Sequence, residues 1–187
     1  MSNSSCWNER YRGAPAIIEP SKLLVKFSGL FPAHGRALDI ACGGGRNSVY
    51  LAGRGLRVVG IDRSWEALQQ GRELARRQGR NVAWVQGDLE AVTLPIDAFD
   101  VITCFYYRHP TLYPSLRAAL RSGGLLFFET FTRDQLNFSS GPRNPAHLLE
   151  PRELLQAFGD WDVLFYRETW VERGMAVLVA RKPKLRV

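Results

Sequence analysis

One segment of this sequence, residues 38–47, restricts the possible folds more than any other. It reads Leu-Asp-Ile-Ala-Cys-Gly-Gly-Gly-Arg-Asn, an apolar strand that runs directly into a glycine turn and then into a helix. Gly43 and Gly45 allow the backbone to turn tightly, and they allow a ligand to lie against it with no Cβ in the way. The segment predicts an α/β fold with a ligand at the turn. An ordinary tight turn is the alternative interpretation.

The chain continues with short apolar runs that alternate with helix-period segments, which is the pattern of βαβ units around a parallel sheet. The runs that predict five parallel strands are residues 36–41, 56–61, 82–86, 100–105 and 125–130. Three segments predict helices because their apolar residues recur three and four apart. They are residues 46–54, 65–78 and 113–121, and Ser122, Gly123 and Gly124 provide the end of the third.

The remainder of the chain divides into a loop, a helix and a hairpin. Residues 131–147 are rich in polar residues, glycine and proline and predict a functional loop. Glu150 and Pro151 predict the start of a helix that ends near Phe158. The apolar runs at residues 161–169 and 175–181 then predict an antiparallel hairpin.

The N-terminal region, residues 1–35, predicts one helix at residues 21–31 after a polar and aromatic lead-in at residues 1–11. The lead-in has no apolar core of the signal-peptide type, and no run approaches the ~20 apolar residues of a membrane span. We therefore expect a soluble protein with no membrane partner. A length of 187 residues fits a single domain over residues 1–187.

Charge and cysteine content restrict the partners. The formal net charge is +7, which permits a polyanion such as RNA, but the arginines are spread along the chain and do not favour it. Cys6, Cys42 and Cys104 show no Cys-x-x-Cys spacing, so the sequence predicts neither a disulfide framework nor a metal site. A reducing cytoplasm is the expected compartment, and no oligomeric state is predicted.

Two acidic residues at strand ends accompany the glycine turn. Asp62 ends the second run, 19 residues after Gly43, where a carboxylate can accept hydrogen bonds from both ribose hydroxyls of a nucleoside. Asp88 follows the third run and can accept from the exocyclic amine of adenine, while the amide of Leu89 can donate to a ring nitrogen. Solvated strand-end aspartates are the alternative.

The turn itself argues against a dinucleotide. It lacks the Gly-x-Gly-x-x-Gly order that seats a pyrophosphate. Asp39, just before the turn, would repel phosphates but suits the ammonium and sulfonium charges of an amino-acid nucleoside. The sequence therefore favours a nucleoside ligand without phosphates over NAD(P).

Taken in order, these motifs resemble the class I S-adenosylmethionine-dependent methyltransferases over nearly the whole chain. Residues 42–52, Cys-Gly-Gly-Gly-Arg-Asn-Ser-Val-Tyr-Leu-Ala, and the Trp-Asn-Glu-Arg-Tyr sequence at residues 7–11 are similar to the tellurite-resistance branch and its small bacterial relatives. The loops at residues 106–112 and 131–147 match that branch poorly, which makes tellurium chemistry doubtful.

The resemblance implies a Rossmann-like three-layer sandwich with a seven-stranded, mostly parallel sheet of order 3-2-1-4-5-7-6, strand 7 being antiparallel. It also implies S-adenosylmethionine as cofactor and S-adenosylhomocysteine as product. Arg10 and Tyr11 would close over the cofactor. The cofactor-binding residues expected are Arg10, Asp39, Ala41, Gly43, Gly45, Asp62, Arg63, Asp88, Leu89 and Phe105.

The acceptor side is expected where the fourth and fifth strands end. His109 is the candidate base because its unperturbed pKa lies near neutrality, and a histidine bonded to backbone is the equal alternative. Tyr106 is the second candidate catalytic residue, although a pocket-wall role is favoured. Glu129 either faces the acceptor or is a buried glutamate paired with an arginine.

Three functions are compatible with these features. A methyltransferase for a small-molecule acceptor is favoured because the chain carries little beyond a catalytic core. An RNA methyltransferase is permitted by charge, but the fourth strand lacks an Asn-Pro-Pro-Tyr-type motif for base amines. A non-catalytic S-adenosylmethionine-binding module is the third.

Direct transfer of the methyl group mainly requires that the protein align the nucleophile in line with the carbon–sulfur bond. Such alignment can remove ~7 to 11 kcal/mol from the barrier, and a hydroxyl acceptor needs a base as well.

Overall fold

A computed structural model describes residues 3–184 of the protein, with side chains from Trp7 onward. Its centre is a seven-stranded sheet of order β3-β2-β1-β4-β5-β7-β6. The strands are β1 (Gly35–Ile40), β2 (Leu56–Asp62), β3 (Val82–Gln86), β4 (Phe99–Phe105), β5 (Leu120–Phe131), β6 (Asp162–Thr169) and β7 (Met175–Arg181). β7 is antiparallel to both of its neighbours, and the pairs among β1 to β5 are parallel. The predicted strand order is confirmed.

Helices cover both faces of this sheet. They are α1 (Asn3–Tyr11), α2 (Lys22–Lys26), α3 (Arg46–Gly53), α4 (Trp65–Arg77), α5 (Tyr113–Ala119) and α6 (Glu153–Phe158). One core cluster joins the sheet to α5 and α6, and a second joins the opposite face to α2, α3 and α4. The predicted three-layer sandwich is therefore confirmed.

Several predicted boundaries were wrong for local reasons. The third helix ends at Ala119, not near residue 121, and Ser122, Gly123 and Gly124 belong to β5, where Gly123 takes a φ of 79°. α6 begins at Glu153, not at Glu150, because Arg152 before it adopts a left-handed φ of 60°.

The N-terminal region and the long loop also differ from expectation. The helix expected over residues 21–31 is limited to Lys22–Lys26, capped by the Ser21 hydroxyl, and is followed by a 3-10 turn at Ser28–Leu30. Most of the lead-in forms α1. The loop at residues 131–147 contains two 3-10 turns, and Thr132 forms a bridge to Leu149. Short elements of this kind carry too few apolar residues to produce a periodic pattern.

Candidate active site at the carboxyl ends of the strands

The glycine turn leaves β1 through left-handed backbone conformations. Ala41 has a φ of 52°, Gly43 of 54° and Gly45 of 75°. Glycine adopts this region without cost, whereas a residue with a Cβ, such as Ala41, is held there by its surroundings. A strained residue at a strand end is typical of functional sites.

Asp62 joins the turn to the end of β2. Its Oδ2 accepts a 2.8 Å hydrogen bond from the amide of Gly43, and its Oδ1 accepts one of 2.8 Å from the amide of Ser64. The side chain is buried, and this burial raises the pKa of Asp62 above its usual value although the backbone donors oppose the effect. The carboxylate is thus held at the position where the sequence predicts a ribose.

Asp39 lies deeper than the sequence indicated. It is 1% exposed, and its two oxygens accept hydrogen bonds from the hydroxyls of Ser48, at 2.6 Å, and Thr103, at 2.7 Å. Burial raises the pKa of Asp39 to about 6 despite these donors. Its charge can act on a ligand at the turn only from below the surface, through the field it creates.

Tyr11 brings α1 over the glycine turn. A Cβ on Gly43 would stand 2.5 Å from the Tyr11 hydroxyl, so only glycine permits this approach. Burial and the nearby Asp62 raise the pKa of Tyr11 to about 12, which keeps the hydroxyl protonated. Arg10 is exposed, with its guanidinium 5.2 Å from the ring of Trp7.

Contacts with α4 fix α1 in this position. The side-chain oxygen of Asn8 accepts a 2.9 Å hydrogen bond from the hydroxyl of Ser64, and the side-chain amide of Gln70 donates to the carbonyls of Tyr11 and Ala14. The N-terminal helix is therefore held against α4 with Tyr11 beside the glycine turn.

Asp88 lies beyond the end of β3 with half of its side chain exposed. Its Oδ1 lies 2.6 Å from the guanidinium of Arg63, whose side chain is 21% exposed. Leu89, the next residue, is buried. Arg63, Asp88 and Leu89 thus come together one strand away from Asp62, as expected for an adenine subsite.

The ends of β4 and β5 form a second group of residues. Tyr106 has a φ of 57°, and its hydroxyl donates to Oε1 of Glu129 at 3.3 Å. Its ring centroid lies 5.6 Å from that of Phe131 and 5.8 Å from the guanidinium carbon of Arg46. Phe105 is buried in the core cluster beside α2 and α3, so only its backbone can meet a ligand at the strand end.

The structure does not bring His109 into this group. Its Nδ1 lies 2.7 Å from the hydroxyl of Thr111, its ring is stacked on that of Tyr107, and its Nε2 lies 4.0 Å from a carboxylate oxygen of Glu90. These neighbours place His109 on the Asp88 side of the site, whereas Tyr106 faces Glu129. The two candidate catalytic residues are thus separated.

Trp84 on β3 is a residue that sequence reasoning missed. A Cβ on Gly45 or Gly71 would collide with its ring, and one on Gly60 would stand a tight 3.1 Å from it, so three glycines make room for one indole. Gly45 therefore serves the packing of Trp84 as well as the turn. The sequence did contain a signal: Gly60 lies inside a predicted strand and Gly71 inside a predicted helix. A glycine in such a position often marks the close approach of another group to the backbone.

Other features of the described residues lie away from this site. A depression of about 270 Å³ is lined by Leu30, Pro32, Asp100, Lys184 and neighbours at the opposite edge of the sheet. Within residues 7–184, no cluster of His, Cys, Asp and Glu is arranged to hold a metal ion. Over the same residues, no helix has the length and apolar character needed to cross a bilayer.

Comparisons with known proteins agree with this geometry. A family model described as a methyltransferase domain matches residues 37–124. The ubiquinone biosynthesis O-methyltransferase of Coxiella burnetii is 30% identical over 134 residues, which cover 68% of this chain and 57% of that protein. The chain thus spans little more than half the length of this curated relative.

Two solved structures share the fold. TehB from Haemophilus influenzae has a TM-score of 0.75 at 20% identity, covering 96% of this chain and 66% of that chain. The second is a structure described as the conversion of a disulfide bond into a thioacetal group during echinomycin biosynthesis. It also has a TM-score of 0.75, at 19% identity, and the match covers 98% of this chain and 93% of that chain.

The chain carries a methyltransferase domain over residues 37–124 and is similar to class I S-adenosylmethionine-dependent methyltransferases in sequence and in fold. The resemblance that the sequence motifs indicated is confirmed, and S-adenosylmethionine is the cofactor of the family. The site fits that cofactor: two acids, Asp62 and Asp88, lie beyond the glycine turn, the Tyr11 hydroxyl leaves no room for a Cβ at Gly43, and the turn lacks the glycine order that seats a phosphate.

Proposed function

We propose that this methyltransferase transfers the methyl group of S-adenosylmethionine to a small-molecule acceptor at the carboxyl ends of β4 and β5. The observation that carries the proposal is the adjacency of two groups of residues. The turn with Asp62 and Asp88 supplies a nucleoside site, and Tyr106 with Glu129 lies at the neighbouring ends of β4 and β5. The name of the Coxiella relative, an O-methyltransferase of ubiquinone biosynthesis, supports a small acceptor.

In this proposal, each strand end has a separate task. Asp62 accepts from the ribose hydroxyls, Asp88 and the Leu89 amide hold adenine, and the buried charge of Asp39 favours the cationic part of the cofactor. When bound, S-adenosylmethionine supplies an electrophilic methyl group on a positively charged sulfur. Tyr11 and α1 cover the turn and exclude water, as closing segments do in many enzymes.

A small acceptor is favoured over RNA because many arginines are already engaged. The arginines that form ion pairs with carboxylates within residues 7–184 include Arg63, Arg76, Arg77, Arg108, Arg117, Arg121 and Arg133. Paired charges contribute less to a polyanion-binding surface than free ones.

We propose that residues 1–187 act as one domain, with residues 1–35 as the lid region.

Calorimetry with S-adenosylmethionine, S-adenosylhomocysteine and NAD tests the cofactor site, and we expect the first two to bind and NAD not to bind. Release of S-adenosylhomocysteine in the presence of small phenols, thiols or transfer RNA then tests the acceptor class. Binding of NAD without binding of S-adenosylhomocysteine would overturn the proposal. Methyl transfer to RNA alone would replace the small molecule as acceptor.

A further inference from the structure

The carboxylate of Glu129 at the end of β5 is only loosely held. It is half-buried, and it accepts hydrogen bonds from the hydroxyls of Ser21, at 3.4 Å, and Tyr106, at 3.3 Å. Hydroxyl donors normally lie 2.7–2.8 Å from an oxygen acceptor, and an ionised carboxylate has about four lone-pair sites. Glu129 therefore has capacity for a further, shorter hydrogen bond from a ligand.

The backbone of Tyr106 is strained in a way that keeps its ring beside this carboxylate. Its φ of 57° is unusual for an aromatic residue, and its amide donates a 2.8 Å hydrogen bond to the carbonyl of Glu129. Tyr106 is 44% exposed and, with Phe131, forms an aromatic wall next to the carboxylate. Strain at such a position is typical of binding and catalytic sites.

We propose that Glu129 is the general base of this enzyme and that the acceptor is a hydroxyaromatic compound whose ring lies against Tyr106 and Phe131. This inference rests on the function proposed above and specifies its substrate class. An aromatic acceptor fits the wall, and its hydroxyl fits the unfilled capacity of the Glu129 carboxylate.

The groups that face Glu129 determine its strength as a base. They are the hydroxyls of Tyr106 and Ser21 and the guanidinium groups of Arg46 on α3 and Arg167 on β6. Burial raises the pKa of Glu129, and these four groups oppose the rise without cancelling it. A carboxylate whose pKa is raised is a better proton acceptor near neutral pH than an ordinary glutamate.

The chemical step requires no further reactant. The hydroxyl proton of the acceptor moves to Glu129, the freed oxygen electron pair forms the bond to the methyl carbon, and the electrons of the carbon–sulfur bond stay on the sulfur. The proton then leaves Glu129 to water. A phenol with a pKa of about 10 is almost wholly protonated at pH 7, so a base is needed.

A spectroscopic titration tests the proposal without methyl transfer. Para-nitrophenol, whose visible spectrum distinguishes phenol from phenolate, is titrated with pH in complex with the S-adenosylhomocysteine-loaded protein. We expect Glu129→Gln to lower the pKa of the bound probe by about one unit or more, because a negative charge beside the phenol is removed. Glu73→Gln, the same change of charge at a partly exposed position on α4, should leave the pKa of the probe unaltered. Equal pKa values in the wild type and Glu129→Gln, or no saturable binding of the probe, would overturn the proposal.

Turnover provides the second measurement. With para-cresol as acceptor we expect Glu129→Gln to lower kcat about 10²- to 10⁴-fold, the usual contribution of general base catalysis, and with para-thiocresol to change it little. If S-adenosylhomocysteine fails to bind, the proposed function fails; if Glu129→Gln methylates para-cresol at the wild-type rate, only the inference fails.

Tyr106→Phe keeps the test open should Glu129→Gln not fold. It removes one hydrogen-bond donor from the carboxylate, which raises the pKa of Glu129. The rate on para-cresol, which requires ionised Glu129, should then rise with pH at a higher midpoint than in the wild type. An unshifted midpoint would contradict the assignment of Glu129 as the base.

Discussion

The amide of Gly43 donates a 2.8 Å hydrogen bond to Oδ2 of Asp62, which ties the glycine turn after β1 to the end of β2. Both partners belong to the cofactor site as we propose it. The carboxylate therefore has two tasks, because it orders the turn and presents its remaining lone pairs to the ribose.

Replacement of Asp62 by alanine should weaken binding of S-adenosylhomocysteine by about 1 to 3 kcal/mol, the usual cost of losing hydrogen bonds to a charged group. Isothermal titration calorimetry measures this directly. Asp160→Ala is the matched control, since Asp160 pairs with Arg117 and precedes β6 at the opposite edge of the sheet. Equal affinities in the Asp62 and Asp160 variants would remove Asp62 from the cofactor site.

Asp88→Ala should weaken the cofactor complex while leaving the free protein folded. The Asp88 side chain is 52% exposed and pairs with Arg63 at the surface, and exposed pairs contribute only about 0 to 1 kcal/mol to stability. Thermal melts with and without S-adenosylhomocysteine separate the two effects. A large fall in the melting temperature of the free variant would show that Asp88 is structural.

The apolar runs were sufficient to predict the sheet because its central strands, β1, β4, β5 and β7, are mostly buried. β3, at Val82–Gln86, and β7, at Met175–Arg181, were predicted to the residue. The helix boundaries that were predicted wrongly depend on local backbone conformation and hydrogen bonding, which the spacing of apolar residues does not reveal. α6 begins at Glu153 because Arg152 before it is left-handed, and the Glu153 carboxylate accepts hydrogen bonds from the amide of Glu150 and from Arg108.

The candidate site was predictable to the extent that chain order determines it. Strand ends meet at one edge of a parallel sheet, so Asp62 and Asp88 could be placed beside the turn from the sequence. Side-chain direction could not be predicted. The left-handed backbone at Tyr106 turns its ring toward Glu129, while the chain that follows carries His109 to the other side.

Gly71→Ala tests the packing of Trp84 in its glycine pocket. The new Cβ would stand 2.7 Å from the indole, and overpacking of this kind costs about 1 to 3 kcal/mol, against about 1 kcal/mol gained in helix propensity. We expect a net loss of stability in urea unfolding.

A double-mutant cycle isolates the contact behind this effect. With Trp84→Phe in place, Gly71→Ala should become neutral or stabilising, because the smaller ring leaves room for the methyl group. Gly29→Ala is the control, since a Cβ there meets no atom within 4 Å. Additive effects of the two substitutions would contradict the packing account.

His109→Ala tests the sequence-based assignment of the base, which stays a prediction until measured. If His109 were the base, the rate on para-cresol would fall in this variant. The contacts of His109 with Thr111, Tyr107 and Glu90 lead us to expect an unchanged kcat instead. A rate loss as large as that of Glu129→Gln would restore His109 to the catalytic role.

Asp39 should make the stability of the protein fall as pH rises from about 4 to about 6. Burial raises its pKa from 3.8 to about 6, so in this window the folded protein binds a proton that the unfolded chain has lost. Stability increases with pH only where the unfolded state binds more protons, and here the folded state does, so the Asp39 contribution is full below pH 4 and lost above pH 6. A shift of about two units corresponds to roughly 3 kcal/mol at most.

Urea unfolding between pH 4 and pH 7 tests this expectation through Asp39→Asn, which keeps the shape of the side chain and removes its titration. The stability difference between wild type and variant should change by up to a few kcal/mol across the window and then stay constant. Ser48→Ala removes a hydrogen bond that lowers the pKa of Asp39, so its window should extend to higher pH. If the stabilities of the wild type and Asp39→Asn changed in parallel with pH, Asp39 would have an ordinary pKa in the folded protein. That result would contradict this expectation, because a carboxylate that is 1% exposed lacks the hydration that an ordinary pKa requires.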